Sequence, residues 1–346
     1  LELSSPPNDK SFVYKNSIFN PYHSPTSTLG FSTTSGVKES IPTLTYSNNL
    51  FENVDRFTTL AASNFKTGVY DIIHAHDGMT FPAAMALKES LGIPLVVHIH
   101  SIESDRSGTS GNSRIEEIER RGIFSADIVV AVSKYTAKQI AKTYSYPEEK
   151  IHIIHNGVIL PLSSPKSRER EKLVLFLGRL TFQKGPDYFL EAAKKVLRHE
   201  PEAKFLIVGS GDMKDALVEQ ANRLGISDQV TFAGFLSGKE KEETYSRAAV
   251  YVMPSVSEPF GITALEAISN SSPVIISKQS GVSEVINHSL VVDFWDTNLM
   301  SDYIISFLRY PELGHDMLQM AQREVRQTNW AKAGNLTLDI YQHLSA

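Results

Sequence analysis

Two successive series of short apolar runs, each separated from the next run by a segment of helical periodicity, constrain the fold of this chain most. The first series begins near Tyr70 and the second at Leu173. Buried apolar runs that alternate with helices are typical of parallel strands in βαβ units, so each series predicts a doubly wound sheet. A chain of 346 residues is long enough for two such domains. Ligands of such sheets bind beyond the carboxyl ends of the strands, and two facing halves would form a cleft there.

The change in composition between the two series sets the predicted domain boundaries. The stretch between them is rich in proline, serine and charged residues and is interpreted as a linker. We predict a first domain over 1–160, a linker over 161–171, a second domain over 172–329, and over 330–346 a terminal amphipathic helix that crosses back to the first domain.

Local patterns add further expectations for the first domain. Residues 1–66 are rich in serine, threonine, asparagine and proline, which favours loops, edge strands or disorder, apart from an amphipathic helix over 51–65. We also predict a helix over 114–121 that Gly122 ends, a polar loop over 104–108, and a helix that Ser133 caps at its N-terminus.

Composition excludes several classes of function. The formal net charge of −5 gives no basic field for nucleic acid, and the absence of cysteine excludes disulfides, thiolate metal sites and a cysteine nucleophile. No apolar run is long enough to cross a membrane. We expect a cytoplasmic protein, with peripheral contact at the inner membrane face left open. Because the chain begins at Leu1 without a visible signal peptide, we expect the natural N-terminus to lie upstream.

The stretch Val252–Asn270 combines an apolar strand, a polar loop and the start of an apolar helix. Gly261 leaves the backbone bare where the helix opens, and a bare helix start offers unpaired N–H groups to an anion. Glu258 precedes this start, and Glu266 lies eight residues further on. Two glutamates at this spacing also occur by chance in many helices.

A glycine-bounded loop, Gly178–Gly185, carries Arg179 and Lys184 after the first strand of the second series. Two cations five residues apart can converge on one anion, such as a diphosphate leaving group. A solvated basic loop is the structural alternative. The loop is not a P-loop, because Lys184 is followed by glycine and proline instead of serine or threonine.

Three further strand ends carry candidate residues. Gly209 and Ser210 open a loop that begins like a dinucleotide fingerprint but lacks its third glycine, so a plain tight turn is the alternative. His74, His76 and Asp77 could form part of a metal site, but no further ligand lies near them along the chain, and Asp77 could instead cap the next helix. We therefore predict no metal site.

His98 and His100 alternate onto one face of the next strand. His100 is nearer the carboxyl end, where an imidazole can hydrogen-bond a sugar hydroxyl or a developing charge. His98 is the alternative for this role, and a buried structural histidine is the alternative for either.

Taken together, the motifs resemble those of retaining GT-B glycosyltransferases, in family four and around glycogen synthase. The residues that carry the resemblance are the S-E-P-F-G stretch with its two glutamates, the G-R-L-x-x-x-K-G loop, V-G-x-G, H-x-H-D, His100 and H-N-G-V. The resemblance covers about Ile73 to Tyr341 and implies a GT-B fold, in which two Rossmann-like domains face each other across a cleft.

The resemblance also implies roles for individual residues. Arg179 and Lys184 would hold the donor phosphates, Glu258 the sugar hydroxyls and Glu266 the ribose. Gly209 and Ser210 would lie beside the nucleotide. His100 would act in catalysis and Asp77 would line the acceptor side. The main chain would meet the sugar and the phosphate at Phe260, Gly261, Ile262 and Thr263.

The implied activity is retaining transfer of a hexosyl group, glucosyl favoured, from a UDP-, ADP- or GDP-hexose to a saccharide, glucan or lipid-linked acceptor. No Asp-x-Asp motif is present, so we expect no metal and no cofactor. The alternatives are a UDP-sugar 2-epimerase, a phosphorylase, and a sugar-nucleotide-binding protein without turnover. One departure is that no opening strand with a glycine-rich loop precedes Phe51, so we expect an incomplete or remodelled first domain. The sequence does not indicate an oligomeric state.

Overall fold

The computed structural model describes residues 50–65, 69–161 and 171–345. Over these ranges the chain forms two parallel sheets with helices packed against them, which confirms the predicted α/β class. Most of the predicted linker, and the segment before Phe51 for which no opening strand and glycine-rich loop are predicted, fall outside the described residues.

Within its described residues, the first domain contains four parallel strands in the order β1-β2-β3-β4. Their apolar side chains pack against the helices, and β2 is buried along its whole length. The strands are β1 (Ile73–His76), β2 (Leu95–Ile99), β3 (Ile128–Ala131) and β4 (Ile151–Ile153). The helices are α1 (Leu50–Asn64), α2 (Phe81–Leu91), α3 (Glu103–Ser107), α4 (Ser113–Ser125) and α5 (Lys134–Tyr144).

Two local predictions in this domain are wrong. Gly122 does not end α4, which continues to Ser125. A Cβ at Gly122 would lie 2.2 Å from a ring carbon of Phe81, so this glycine allows α4 to approach α2 closely. The predicted polar loop over 104–108 is largely occupied by the short helix α3, whose start is held by Asp105, which accepts a hydrogen bond from the N–H of Ile102 at 2.9 Å. By contrast, Ser133 caps α5 as predicted and accepts from the N–H of Thr136.

The second domain contains six parallel strands in the order β10-β9-β8-β5-β6-β7. The strands are β5 (Leu173–Leu177), β6 (Lys204–Val208), β7 (Val230–Gly234), β8 (Val250–Met253), β9 (Val274–Ser277) and β10 (Leu290–Val292). Because β5 pairs with both β6 and β8, the strand order reverses between β5 and β8. Such a switch point leaves a crevice beyond the carboxyl ends of the two strands.

Helices cover both faces of this second sheet. One core contains Phe189 and Phe205, and the other contains Tyr251 and Leu265. The helices are α6 (Pro186–Val196), α7 (Lys214–Leu224), α8 (Gly238–Arg247), α9 (Ile262–Ser269), α10 (Thr297–Arg309) and α11 (Pro311–Gln327).

A terminal helix, α12 (Trp330–Ser345), leaves the second domain and packs on the first. Its residues Ala333 and Ile340 lie against Val96 of β2 and Val130 of β3. The end of the chain therefore covers part of the first sheet, on the face that also carries His74 and His98. In the described ranges, no helix is both long and apolar enough to cross a bilayer.

Candidate active site

The two motif-bearing loops of the second domain meet at the switch point. The loop after β5 carries Lys184 and the loop after β8 carries Glu258, and their Nζ and Oε2 atoms lie 2.6 Å apart. Ser255 donates a second hydrogen bond to the same carboxylate oxygen at 3.2 Å. Glu258 is only 7% exposed, so the charge of its carboxylate is stabilised by these two partners and little by solvent. The fold thus joins two predicted residues that lie 74 positions apart in the chain.

The helix start at Gly261 is formed as the sequence predicts. Gly261 has φ +108° and precedes α9, and no described side chain caps this helix start. A Cβ at Gly261 would lie 3.0 Å from Cε of Met253 and 3.3 Å from Cγ of Glu258, so the loop closes tightly around it. The first turn of α9 therefore offers main-chain N–H groups and the positive end of the helix dipole beside the Lys184–Glu258 pair.

The other two donor-side candidates have different partners. Arg179 donates to Oε1 of Gln183 at 3.0 Å, within the loop that also carries Lys184. Glu266 lies inside α9 and pairs with Lys241 of α8 at 2.9 Å, while the hydroxyl of Tyr245 donates to its second oxygen at 3.3 Å. Glu266 thus belongs to a separate pair on the α8 side.

The loop after β6 packs against the loop after β5, backbone to backbone. The N–H of Leu180 donates to the carbonyl of Ser210 at 2.9 Å. Gly209 has φ +136°, and a Cβ there would lie 1.8 Å from the carbonyl oxygen of Gly178. Only glycine fits this contact, and the loop that carries Gly209 and Ser210 is thereby fixed beside Arg179.

On the first domain, Asp77 has a different role from the cap that the sequence suggested as an alternative. Its side chain makes no cap bond to the short helix that follows. Oδ1 of Asp77 instead accepts from the N–H of His100 at 2.7 Å and from that of Ser101 at 3.4 Å. Asp77 itself has φ +63°. This carboxylate therefore fixes the backbone at the end of β2, where His100 begins the loop.

Four histidines lie together on one face of the first sheet: His74, His76, His98 and His100. The parallel register places His76 directly opposite His98. Neighbouring rings stack with centroids 4.4 to 5.5 Å apart. The sequence showed no further ligand near His74 and His76 along the chain, but the neighbouring strand supplies one in His98.

Burial determines the charge of two of these rings, those of His74 and His98. Together with a smaller effect of the neighbouring imidazoles, it lowers the pKa of His74 to about 4 and that of His98 to about 2. Both rings are therefore neutral near pH 7. His76 and His100 also contact each other directly, with Nδ1 of His76 and Nε2 of His100 3.0 Å apart.

A buried charged network beside the cleft was missed at the sequence level. Arg106 of α3 pairs with Glu119 of α4 at 2.8 Å, and the hydroxyl of Tyr144 donates to Glu119 at 2.5 Å. Burial raises the pKa of Glu119 to about 7 against the opposing effect of Arg106. One signal could have revealed it, because Glu119 falls on the apolar stripe of α4 with Ile115 and Ile123.

The loop between β8 and α9 (residues 254–261), which we call the donor loop after its predicted role, also contacts the first domain directly. Ser257 donates to Oδ1 of Asp105 in α3 at 2.5 Å, and the hydroxyls of Ser257 and Tyr135 lie 3.0 Å apart. Glu284, which the sequence did not single out, accepts the N–H groups of Lys134 and Tyr135 at the start of α5, at 2.9 and 2.7 Å. The S-E-P-F-G loop is therefore held between the two domains.

Two protein-family models match this chain, one in each half. The model for glycosyl transferases group 1 matches residues 163–324, and the model for glycosyltransferase family 4 matches residues 29–160. The chain belongs to the glycogen synthase-like family 4 glycosyltransferases of the GT-B fold. The UDP-sugar 2-epimerase alternative is not favoured by these matches.

Curated relatives agree with this family. An uncharacterized glycosyltransferase of Methanocaldococcus jannaschii is 37% identical over 239 residues, which cover 64% of this chain and 61% of that protein. A glycogen synthase of Mycobacterium tuberculosis is 29% identical over 62% of this chain and 54% of its own length. The matched part of the glycosyltransferase thus spans less than two thirds of both relatives.

Solved structures resemble the whole two-domain fold. A sucrose-phosphate synthase from Thermosynechococcus elongatus superposes with a TM-score of 0.76 at 22% identity, covering 87% of this chain and 81% of that one. HepE from Anabaena, crystallised with UDP and glucose, gives a TM-score of 0.72 at 19% identity, with 88% and 86% covered. At such low identity these likenesses establish the fold of the glycosyltransferase.

Proposed function

We propose that this glycosyltransferase transfers a hexosyl group, glucosyl favoured, from a nucleoside diphosphate hexose to a saccharide, glucan or lipid-linked acceptor, with retention of configuration. The observation that carries the proposal is the Lys184–Glu258 pair at the switch point, 2.6 Å apart beside the uncapped start of α9. The bound UDP and glucose of the structurally similar HepE support the donor class, and the glycogen synthase relative supports glucosyl transfer.

The donor side supplies positive charge where the reaction creates negative charge. As the bond between the sugar anomeric carbon and the diphosphate oxygen breaks, its electron pair passes to that oxygen. Lys184, Arg179 and the N–H groups at the start of α9 would stabilise the diphosphate that forms. Phosphate would compete with Glu258 for Lys184, which frees the carboxylate to accept hydrogen bonds from sugar hydroxyls. This arrangement needs neither a metal ion at the diphosphate nor a cofactor.

The acceptor side would hold the incoming hydroxyl near His100, whose backbone Asp77 fixes. In retaining transfer the acceptor oxygen forms its bond to the anomeric carbon on the face that the diphosphate leaves. The acceptor proton would then pass to the departing phosphate oxygen. Contacts between the donor loop and α3 and α5 would close the cleft and exclude water.

A donor screen followed by product analysis tests the proposal. UDP, ADP, GDP and their glucose conjugates are added with EDTA, and thermal unfolding is measured. One nucleotide family should stabilise the protein, by about 2.7 kcal/mol when the ligand is present at 100 times its Kd. Transfer to a glucan or another saccharide should then give an α-linked product from an α-linked donor, as read by the anomeric proton coupling.

Two variants separate the competing outcomes. Glu258→Ala should lose discrimination between glucose and galactose donors, because buried hydroxyl partners contribute about 1–3 kcal/mol, whereas the exposed Glu243→Ala should keep it. Donor binding without any transfer would favour a sugar-nucleotide-binding protein. A product of inverted configuration, or a strict requirement for a divalent metal, would contradict the mechanism proposed for the glycosyltransferase.

A further inference from the structure

We propose that His74, His76 and His98 form a binding site for a divalent transition metal on the first sheet, separate from the donor site. One ring nitrogen of each histidine lies within 4.8 Å of one ring nitrogen of both others. No other group of three or more metal-ligating side chains is found in the described ranges. The site lies on the first domain, so an ion bound there is compatible with metal-free hexosyl transfer at the diphosphate.

The strand register explains why the three imidazoles converge. His74 and His76 are two residues apart on β1 and therefore share a face, and His98 on β2 lies directly opposite His76. The backbone of a paired parallel sheet is rigid, so the three Cβ positions are fixed before any ligand binds. With metal–nitrogen bonds of about 2.0–2.1 Å, tetrahedral ligand atoms lie about 3.4 Å apart. The three nitrogens would therefore have to approach one another by up to about 1.4 Å, through changes in the histidine side-chain torsions, when an ion binds.

The hydrogen bonds leave suitable nitrogens for a metal. Nδ1 of His74 contacts the hydroxyl of Tyr341 at 2.5 Å, and Nδ1 of His76 contacts His100 at 3.0 Å. Nε2 of His74 and both ring nitrogens of His98 are buried without a hydrogen-bond partner within the described part of the chain. Buried polar atoms without a partner are uncommon in folded proteins, and a bound ion would satisfy one nitrogen of each ring.

The contacts of Nδ1 of His74 and Nδ1 of His76 match those seen in known metal sites. A metal-bound imidazole generally uses its second ring nitrogen to donate to a neighbouring side chain, which fixes the ring. The hydroxyl of Tyr341 would accept this hydrogen bond from His74, and Nε2 of His100 would accept it from His76. Imidazole donors suit Zn²⁺, Co²⁺, Ni²⁺ and Cu²⁺ and do not suit Mg²⁺ or Ca²⁺. Because Tyr341 lies on α12, a bound ion would tie the terminal helix to the first sheet.

The test measures metal binding directly. The protein is dialysed against EDTA and then against metal-free buffer, and Co²⁺ is titrated while the visible absorption is followed. We expect one Co²⁺ per chain, tetrahedral d–d bands, and displacement of Co²⁺ by Zn²⁺. Titration with Mg²⁺ should give no binding.

Variants assign the ligands. His98→Ala should lower the Co²⁺ affinity by more than about 100-fold, and Tyr341→Phe, which keeps all three imidazoles, by about 10-fold. The exposed His199→Ala in the second domain should bind as the wild type does, and circular dichroism checks that each variant is folded. Absence of stoichiometric Co²⁺ binding by the wild type, or unchanged affinity in both folded His98→Ala and Tyr341→Phe, would overturn the proposal.

Discussion

The proposed donor side and the proposed acceptor side of the cleft are built in different ways. On the second domain, contiguous motifs form the site, and the backbones of three adjacent loops are hydrogen-bonded to one another. On the first domain, the site depends on side chains that come from separate strands and helices, including the histidines of β1 and β2 and the buried acids of α3 and α4. The donor side is thus held mainly by loop geometry, and the acceptor side by buried polar side chains.

This difference has a physical consequence. A site made from main-chain groups at strand ends keeps its shape as long as the sheet is folded, because the hydrogen bonds that shape it are also part of the backbone pairing of the fold. A site that rests on buried charges must keep each charge paired or neutral, so it responds to pH and to single substitutions. We therefore expect donor-side changes to affect turnover, and changes in the buried acids to affect stability.

The largest effect should follow loss of a donor-side cation. Lys184→Ala and Arg179→Ala should each lower kcat by about 10²–10³-fold, because a preorganised charge at the diphosphate is lost. Turnover with the preferred sugar nucleotide checks this. Urea unfolding should shift little for Arg179→Ala, whereas Lys184→Ala should also be less stable, because it leaves the buried Glu258 without its cation. The exposed Lys239→Ala provides the control. Near-normal turnover in both cation variants would remove these residues from the mechanism and weaken the contrast between the two sides.

Buried Glu119 should make the stability of the first domain depend on pH. Burial raises the pKa of Glu119 to about 7 from an ordinary 4.5, so between these values the folded protein binds more protons than the unfolded chain. Its contribution to stability is present below about pH 4.5 and is lost as the pH rises through 7. At about 1.4 kcal/mol per pH unit, the loss approaches about 3 kcal/mol.

The measurement is the free energy of unfolding in urea between pH 5 and 8. Glu119→Gln should flatten the decline with pH, even though it weakens the pair with Arg106. Glu117→Gln, on the solvent-exposed side of the same helix, should leave the slope unchanged. Equal slopes for the wild type and Glu119→Gln would show that Glu119 remains ionised throughout this range.

A smaller effect distinguishes two glycines of the donor domain. Gly209→Ala places a Cβ 1.8 Å from a backbone oxygen, whereas Gly234→Ala, also at positive φ, has no atom within 4 Å. Both variants carry backbone strain of about 1–2 kcal/mol, but only Gly209→Ala must also move a loop. We expect Gly209→Ala to be less stable than Gly234→Ala by about 2 kcal/mol, and to bind the donor nucleotide more weakly. Equal thermal stability and donor affinity would argue against the close loop packing.

The same contrast explains how far the sequence could predict this molecule. Buried parallel strands and the S-E-P-F-G and G-R-L loops are local patterns, so the fold class was predicted and Lys184 and Glu258 were singled out individually. That these two residues pair was not predicted, because they lie 74 positions apart in the chain. The proximity of His98 to His74 was not identified, because it depends on the register of two strands that lie far apart in the chain. The role of Gly122 was missed for a similar reason, because the residue it accommodates, Phe81, lies on another helix.

The smallest effect concerns the contact that joins the two sides. Ser257 of the donor loop donates to Asp105 of α3 at 2.5 Å, and burial raises the pKa of that aspartate. Ser257→Ala and Asp105→Asn, alone and combined, form a double-mutant cycle whose coupling energy we expect to be about 1 kcal/mol. Urea unfolding gives the stabilities, and Ser246→Ala on an exposed part of α8 serves as the control. A coupling energy near zero would mean that the two sides are held together by Glu284 and the other loop contacts, and that the donor loop is positioned independently of α3.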